Sequence, residues 1–214
     1  MRRGEVEGVL FDLDGTLVDS HGGLWDVYAS FLRHHEHEPT RSEFRMLDGP
    51  SISEIVAQLA IRHGIDDDPD VLLSEYNDLL ATIYPQMPAM PHADQLLRLL
   101  SRQLPIGLVT SASRRLVEPL LARQEWARRF LIVVTGDDGA AKPDPALYRL
   151  AVERLEMPAS NLVAVEDGVN GVRAARGAGL SVIGIGGNDS ETPLRNAGAE
   201  HVVASLDQLI DHFT

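Results

Sequence analysis

The sequence predicts an α/β protein with a parallel sheet covered by helices and a separate helical block inserted after the first strand. Three observations predict this fold class. Short apolar runs alternate with helical periodicity from residue 91 onward, which is typical of a parallel sheet with helices on both faces. Residues 20–87 have helical periodicity and no strand candidate. Polar residues follow several of the predicted strands, where open α/β sheets bind their ligands.

Composition limits the function classes. The 214 residues suffice for one large domain, or for one domain with an insertion, without disulfides, and the chain has no cysteine. The formal net charge of −13 disfavours nucleic acid and anionic membranes as partners. We see no signal peptide and no apolar run of membrane-spanning length, so we expect a cytoplasmic protein. A phosphate site in this acidic chain would need a metal, a lysine or helix N-termini.

The first predicted strand, 6–11, ends at two carboxylates. Asp12 and Asp14 are spaced i, i+2, and Gly15 allows the chain to turn sharply before Thr16. Two adjacent carboxylates at a strand end can hold a divalent cation, and one of them can act as a nucleophile or as an acid/base. A solvated acidic turn is the alternative interpretation of this stretch taken alone.

The inserted block follows directly. Apolar residues recur at helical spacing in four segments, and Pro85, Pro88 and Pro91 mark a linker after the last of them. We therefore expect a helical domain over 20–87 and an α/β core domain over 1–19 and 88–214. In the core domain the periodicity predicts helices over 93–100, 116–121, 146–155, 171–178 and 206–213. It predicts strands over 106–109, 130–134, 162–165, 181–185 and 201–203, with a glycine-rich loop after residue 185.

Polar groups follow four of these strands. They are Asp12 and Asp14, then Thr110 and Ser111, the loop to Lys142, and Glu166 with Asp167. Because parallel strands end at one edge of the sheet, these groups are expected to converge. Acids that hold a magnesium ion, with a lysine and a hydroxyl that bind phosphate oxygens, are the groups that phosphoryl transfer needs.

The same segments resemble the motifs of the haloacid dehalogenase (HAD) superfamily, in order and spacing. They are Asp12-Leu13-Asp14-Gly15-Thr16, Val109-Thr110-Ser111, Lys142-Pro143-Asp144-Pro145 and Val165-Glu166-Asp167. The resemblance covers the whole chain, and the helical block sits where this superfamily carries its type-1 cap. Within the superfamily the chain is most similar to the branch of phosphoglycolate phosphatases, sugar phosphatases and β-phosphoglucomutase. The implied fold is a Rossmann-like core with a helical cap domain.

The resemblance also implies roles for individual residues. Asp12 would attack phosphorus, and Asp14 would protonate the leaving alcohol and then deprotonate water. Mg²⁺ would bind the Asp12 carboxylate, the Asp14 carbonyl and Asp167, with Glu166 beside it. The hydroxyl donor is Ser111, with Thr110 as the alternative. The expected phosphate- and substrate-binding residues are Gly15, Thr16, Thr110, Ser111, Ala112, Lys142 and, from the cap, Arg45 and Gly49.

These roles predict a Mg²⁺-dependent phosphomonoesterase that hydrolyses a small phosphorylated metabolite through an aspartyl-phosphate intermediate. A monomer or weak homodimer is expected. A phosphosugar mutase of the β-phosphoglucomutase type is the main alternative, but Leu24 stands where that relative has a cap histidine. A non-catalytic binding protein of the same fold is a third hypothesis, which the presence of every catalytic residue disfavours.

Overall fold

The structure is a computed structural model that describes residues 6–47 and 51–213, without the side chains of residues 188, 189 and 211–213. The chain forms two compact units, one of Met1–Asp19 and Pro88–Thr214 and the other of Ser20–Met87. No helix in the described ranges is long and apolar enough to cross a membrane.

The first unit contains a six-stranded parallel sheet with the order β3-β2-β1-β4-β5-β6. The strands are β1 Gly8–Phe11, β2 Ile106–Val109, β3 Ile132–Val134, β4 Leu162–Glu166, β5 Ser181–Ile185 and β6 His201–Val203. This confirms the predicted α/β class. The central strand β1 lies between β2 and β4, so the strand order reverses there, and open α/β sheets bind ligands at such a reversal.

The described helices occur in both units. They are α1 Ser20–His34, α2 Arg41–Phe44, α3 Ile52–His63, α4 Pro69–Ile83, α5 Ala93–Leu100, α6 Arg114–Arg123, α7 Ala146–Leu155, α8 Val169–Gly177, α9 Asn188–Ala197 and α10 Leu206–Phe213. The first four belong to the second unit and the other six to the first. Every residue of β1, β2 and β4 is buried, as expected for strands covered on both faces.

The prediction of a loop after residue 185 is wrong, because helix α9 occupies most of that segment. Its polar composition and the internal Pro193 conceal it from an analysis of periodicity. Leu194 is only 1% exposed, so burial in the first unit supports a helix that propensity does not predict.

The second unit has its own apolar core and, among its described residues, one buried acid. Its core residues include Val27, Phe31, Leu32, Val56, Leu59, Leu72, Tyr76 and Leu80. Glu43 is 6% exposed and accepts hydrogen bonds from Tyr28 Oη at 2.7 Å and Arg62 Nη1 at 3.1 Å, and it pairs with His63 Nε2 at 3.0 Å. A buried carboxylate persists only when such partners compensate its lost hydration.

Candidate active site

The carboxyl ends of three neighbouring strands place the predicted groups side by side. The N–H of Asp12 donates to Val165 O of β4 at 3.0 Å, so Asp12 still belongs to the ladder at the end of β1. The N–H of Thr110 donates to Val134 O of β3 in the same way, also at 3.0 Å. Glu166 is the last residue of β4. Backbone pairing in the sheet therefore fixes the main-chain position from which each of these side chains extends.

Lys142 reaches this edge from the loop between β3 and α7. Its Nζ donates to Asp12 Oδ1 at 2.5 Å, to Glu166 Oε1 at 2.7 Å and to the carbonyl of Val109 at 2.9 Å. All three donor positions of the ammonium are thus used, and its side chain is 7% exposed. Lys142 is also the only lysine in a chain with 18 arginines. The one position with a compact ammonium is therefore the one where three acceptors surround a single nitrogen, which a larger planar guanidinium does not fit.

Tyr148 on α7 is a member of this cluster that the sequence analysis missed. Its hydroxyl donates to Glu166 Oε1 at 2.6 Å, and the centroid of its ring lies 5.2 Å from Lys142 Nζ. The other side of Glu166 faces Gly171, where a Cβ would lie 1.9 Å from Oε2. Tyr148 and Gly171 together determine the orientation of this carboxylate. The helical spacing of Tyr148 marks it only as a core residue, so no sequence signal distinguishes it.

Gly15 brings the turn after β1 against Asp167. It has a φ of 78°, and a Cβ there would lie 2.0 Å from Asp167 Oδ2. The neighbouring Thr16 is fully buried and donates from Oγ1 to Asp167 Oδ1 at 3.4 Å. Glycine is therefore needed at position 15 both for its backbone conformation and for the space that it leaves to Asp167.

The cluster carries more negative than positive charge. Asp12, Glu166 and Asp167 each offer an oxygen, and these oxygens lie within 4.8 Å of one another. Against these three carboxylates stands the ammonium of Lys142. Burial raises the pKa of both Glu166 and Asp167, and the neighbouring Asp12 carboxylate raises both further. For Lys142, burial acts to lower the pKa, but the Asp12 and Glu166 carboxylates raise it above its ordinary value.

A divalent cation fits this arrangement. The donors are hard carboxylate oxygens, and the two positive charges of the cation would neutralise the negative charge that Lys142 leaves uncompensated. The sequence motifs predict one metal site of Asp12, Glu166 and Asp167, and these three carboxylates lie together. Asp14 was expected to contribute its carbonyl, and it lies in the turn after Asp12, where it forms an isolated bridge with Val18.

The hydroxyls of Thr110 and Ser111 differ in exposure and in hydrogen-bond partners. Thr110 is 1% exposed, and its Oγ1 accepts a hydrogen bond from the N–H of Ala112 at 3.0 Å, which stabilises the turn after β2. Ser111 is exposed, and its Oγ accepts from the N–H of Lys142 at 3.4 Å. The hydroxyl of Ser111 therefore lies beside the loop that carries Lys142, whereas the hydroxyl of Thr110 stabilises its own turn.

The structure does not test the two residues that were predicted to contact substrate from the cap. Arg45 is exposed and belongs to a short 3-10 turn, Arg45–Leu47, in the second unit. Gly49 lies outside the described residues. The substrate-binding roles of both residues stay predictions.

Known proteins resemble the chain along most of its length. It is 31% identical over 220 residues to a phosphoglycolate phosphatase of Chromobacterium violaceum, covering 96% of each protein. It is 27% identical over 201 residues to a bifunctional riboflavin kinase/FMN phosphatase of Arabidopsis thaliana, and it spans about half of that protein, 53% of its length. A crystal structure of a putative β-phosphoglucomutase from Thermotoga maritima superposes with a TM-score of 0.83 at 24% identity, covering 98% of this chain and all of that one.

The family model for haloacid dehalogenase-like hydrolases matches residues 9–185. The match spans β1, the carboxylates at its end, the lysine loop and β4 with Glu166 and Asp167. The chain therefore belongs to the haloacid dehalogenase-like hydrolase family, and it is an enzyme of that family.

Proposed function

We propose that this enzyme is a phosphomonoesterase that hydrolyses a small phosphorylated metabolite. The observation that carries the proposal is the buried carboxylate of Asp12, which Lys142 holds at 2.5 Å on the strand-end edge of the sheet. A phosphate monoester is an anion, so it can approach a carboxylate nucleophile only where positive charge is fixed beside that nucleophile. The phosphatase names of the relatives support the same class of reaction.

In the first step a carboxylate oxygen of Asp12 attacks phosphorus, and the bond from phosphorus to the ester oxygen breaks. Asp14 donates a proton to the departing alcohol, so the alcohol leaves neutral. The product on the enzyme is an aspartyl-phosphate. In the second step water attacks that phosphorus while Asp14 takes a proton from the water. The bond to Asp12 breaks, inorganic phosphate leaves, and both aspartates return to their first state.

The other residues would orient and neutralise the phosphoryl group. Lys142 is protonated and fully directed at oxygens, so it supplies a fixed positive charge beside Asp12. Ser111 would donate its hydroxyl to a phosphate oxygen. Asp12, Glu166 and Asp167 would hold Mg²⁺, with the carbonyl of Asp14. When bound, the ion supplies charge neutralisation for the phosphoryl oxygens.

We also propose that the helical unit Ser20–Met87 acts as a cap that binds the leaving group. Its connectors support this. The N–H of Asp19 donates to Pro88 O at 2.9 Å, and the N–H of Met90 donates to Leu17 O at 2.8 Å. The outgoing and returning chains therefore pair just after the turn that carries Asp14 and Gly15. A hinge at this place would couple cap movement to the site. Arg45 is our candidate for contact with the substrate.

The decisive experiment compares Asp12→Asn with Asp26→Asn in a phosphate-release assay over small phosphate esters. Both variants remove one carboxylate, but Asp26 is an exposed residue of α1 with no role in the proposed chemistry. D12N is expected to lose nearly all turnover and D26N to keep it, with both folded by circular dichroism. Removal of Mg²⁺ with a chelator should abolish wild-type release. Retained turnover in D12N would contradict the proposal.

Leu24 bears on the mutase alternative. It lies in α1 and supplies no acid/base group at the place where the mutase relative has a histidine, which supports hydrolysis. Product analysis with a hexose 1-phosphate separates the two reactions, because a mutase would yield the 6-phosphate and a phosphatase the free sugar.

A further inference from the structure

A basic cleft lies on the first unit at the edge of the sheet opposite the candidate active site. It has a volume of about 430 Å³ and lies between the segment that precedes β2 and the segment that precedes β3. Arg102, Leu104 and Pro105 come from the first segment, and Arg128, Arg129 and Leu131 come from the second. The N–H of Leu131 donates to Ile106 O at 2.8 Å, which ties the two segments together where both strands begin. Parallel strands begin at the edge opposite to the one where they end.

The charge of this cleft differs from that of the protein. The chain has 32 acidic and 19 basic residues, yet none of the described residues that line the cleft is acidic. Arg102 and Arg128 are exposed, and neither forms an ion pair within the described ranges. Two arginines without carboxylate partners are unexpected in one cleft of so acidic a chain, because surface acids are plentiful enough to pair with them.

Arg129 adds a guanidinium that the fold only partly satisfies. Its side chain is 22% exposed, and its Nη2 lies 3.4 Å from Asp94 Oδ1, a long contact for an ion pair. Among the residues that the structure describes, the buried Nε of Arg129 has no hydrogen-bond partner. A buried donor without a partner costs free energy, so an acceptor that reaches it would be favoured.

We propose that this cleft is a binding site for a small organic or inorganic polyanion that carries phosphate or carboxylate groups. Its volume lies in the range of small-ligand sites, and its three guanidinium groups are suited to bidentate contacts with planar or tetrahedral oxyanions. The cleft lies at the beginning of β2 and β3, whereas the candidate active site lies where those strands end. The two sites are therefore separate, and this proposal does not rest on the proposed phosphatase activity.

The test is calorimetric titration of the full chain with citrate and, separately, with pyrophosphate, in a chelating buffer. The chelator removes any divalent cation that could draw an anion to the candidate active site, and the variants described next show whether a bound probe occupies the cleft. Wild type is expected to bind one equivalent of at least one probe. The probe that binds tells whether the site prefers carboxylate or phosphate.

Two double variants localise the binding. Arg102→Ala with Arg128→Ala is expected to weaken affinity at least about tenfold, because two charge-assisted contacts are lost. Arg33→Ala with Arg173→Ala changes the net charge equally at exposed positions outside the cleft and should leave the affinity unchanged. No binding by wild type up to about 10 mM probe would overturn the proposal. Equal weakening in both double variants, or none in R102A/R128A, would overturn it as well.

Discussion

Substitution of Gly15 by alanine tests the geometry of the proposed site most directly. Position 15 has a φ of 78°, where an L-residue with a Cβ is less stable by about 1–2 kcal/mol. The added Cβ would also lie 2.0 Å from Asp167 Oδ2 and 2.7 Å from Asp167 Cγ. Ordinary carbon contacts begin at roughly 3.5 Å, so the carboxylate of Asp167 must move by more than about 1 Å.

Both effects can be measured. We expect G15A to lower the free energy of unfolding in urea by about 1–3 kcal/mol, which combines the backbone cost with the loss of the contact between Thr16 and Asp167. We expect kcat/KM for phosphate release to fall by at least about 100-fold, because a misplacement of this size in a catalytic site has such an effect. The Mg²⁺ concentration that gives half-maximal activity should rise, since Asp167 is a proposed ligand.

Gly168→Ala is the matched control. Gly168 has a φ of −107°, and a Cβ there would meet nothing within 4 Å, so this variant should keep its stability and its activity. A G15A enzyme with activity within threefold of wild type would refute the reasoning that Gly15 makes room for Asp167. Equal losses in both variants would show that any added methyl group disturbs the region and would refute it too.

Three further substitutions test the contacts around Lys142 and Glu166 in the candidate active site and the buried acid of the helical unit. Tyr148→Phe removes only the hydroxyl that donates to Glu166. We expect a roughly tenfold lower kcat, little change in KM and an unchanged fold. An unaltered kcat would exclude a positioning role for Tyr148. Lys142→Arg should lower kcat/KM by at least about 100-fold, because a planar guanidinium cannot place one nitrogen beside three oxygens in this buried site. A kcat/KM near that of wild type would contradict this expectation. For Glu43, burial acts to raise the pKa, but hydrogen bonds from Tyr28 and His63 lower it below its ordinary value. A group with a lowered folded-state pKa contributes stability above its unfolded pKa and loses that contribution as the pH falls. The free energy of unfolding of the Glu43→Gln variant, measured in urea at pH 7, should therefore be about 1–3 kcal/mol lower than that of wild type. This difference should shrink as the pH falls. A difference that grows at low pH would contradict the stabilising role of the Glu43 carboxylate.

Much of the fold is predictable from local pattern. The strands Ile106–Val109, Ser181–Ile185 and His201–Val203 have the predicted bounds, because each is a short, mainly apolar run between polar or turn-forming residues. Helix α9 is the exception. Its segment has Pro193 and few apolar residues, and it is helical because Leu194 is buried against the rest of the unit. Local periodicity cannot report burial that distant residues provide.

Local sequence pattern is enough to tell which chemical groups meet at the edge of the sheet. Asp12, Thr110 and Glu166 each follow or end an apolar run, and the geometry of a parallel sheet then requires that they be neighbours. No knowledge of side-chain positions is needed for that step. The loop after β3 leaves the sheet at the same edge and brings Lys142 near, although Lys142 stands 130 positions from Asp12.

How those groups are oriented depends on packing between distant segments. It directs the Thr110 hydroxyl into its own turn and leaves that of Ser111 exposed. It places the hydroxyl of Tyr148 on Glu166, and it gathers Arg102 with Arg128 in one cleft at the opposite edge. The physical reason is the same in each case. Hydrogen bonds depend on side-chain positions within a few tenths of an ångström, and those positions are set by packing between segments that are far apart in the chain.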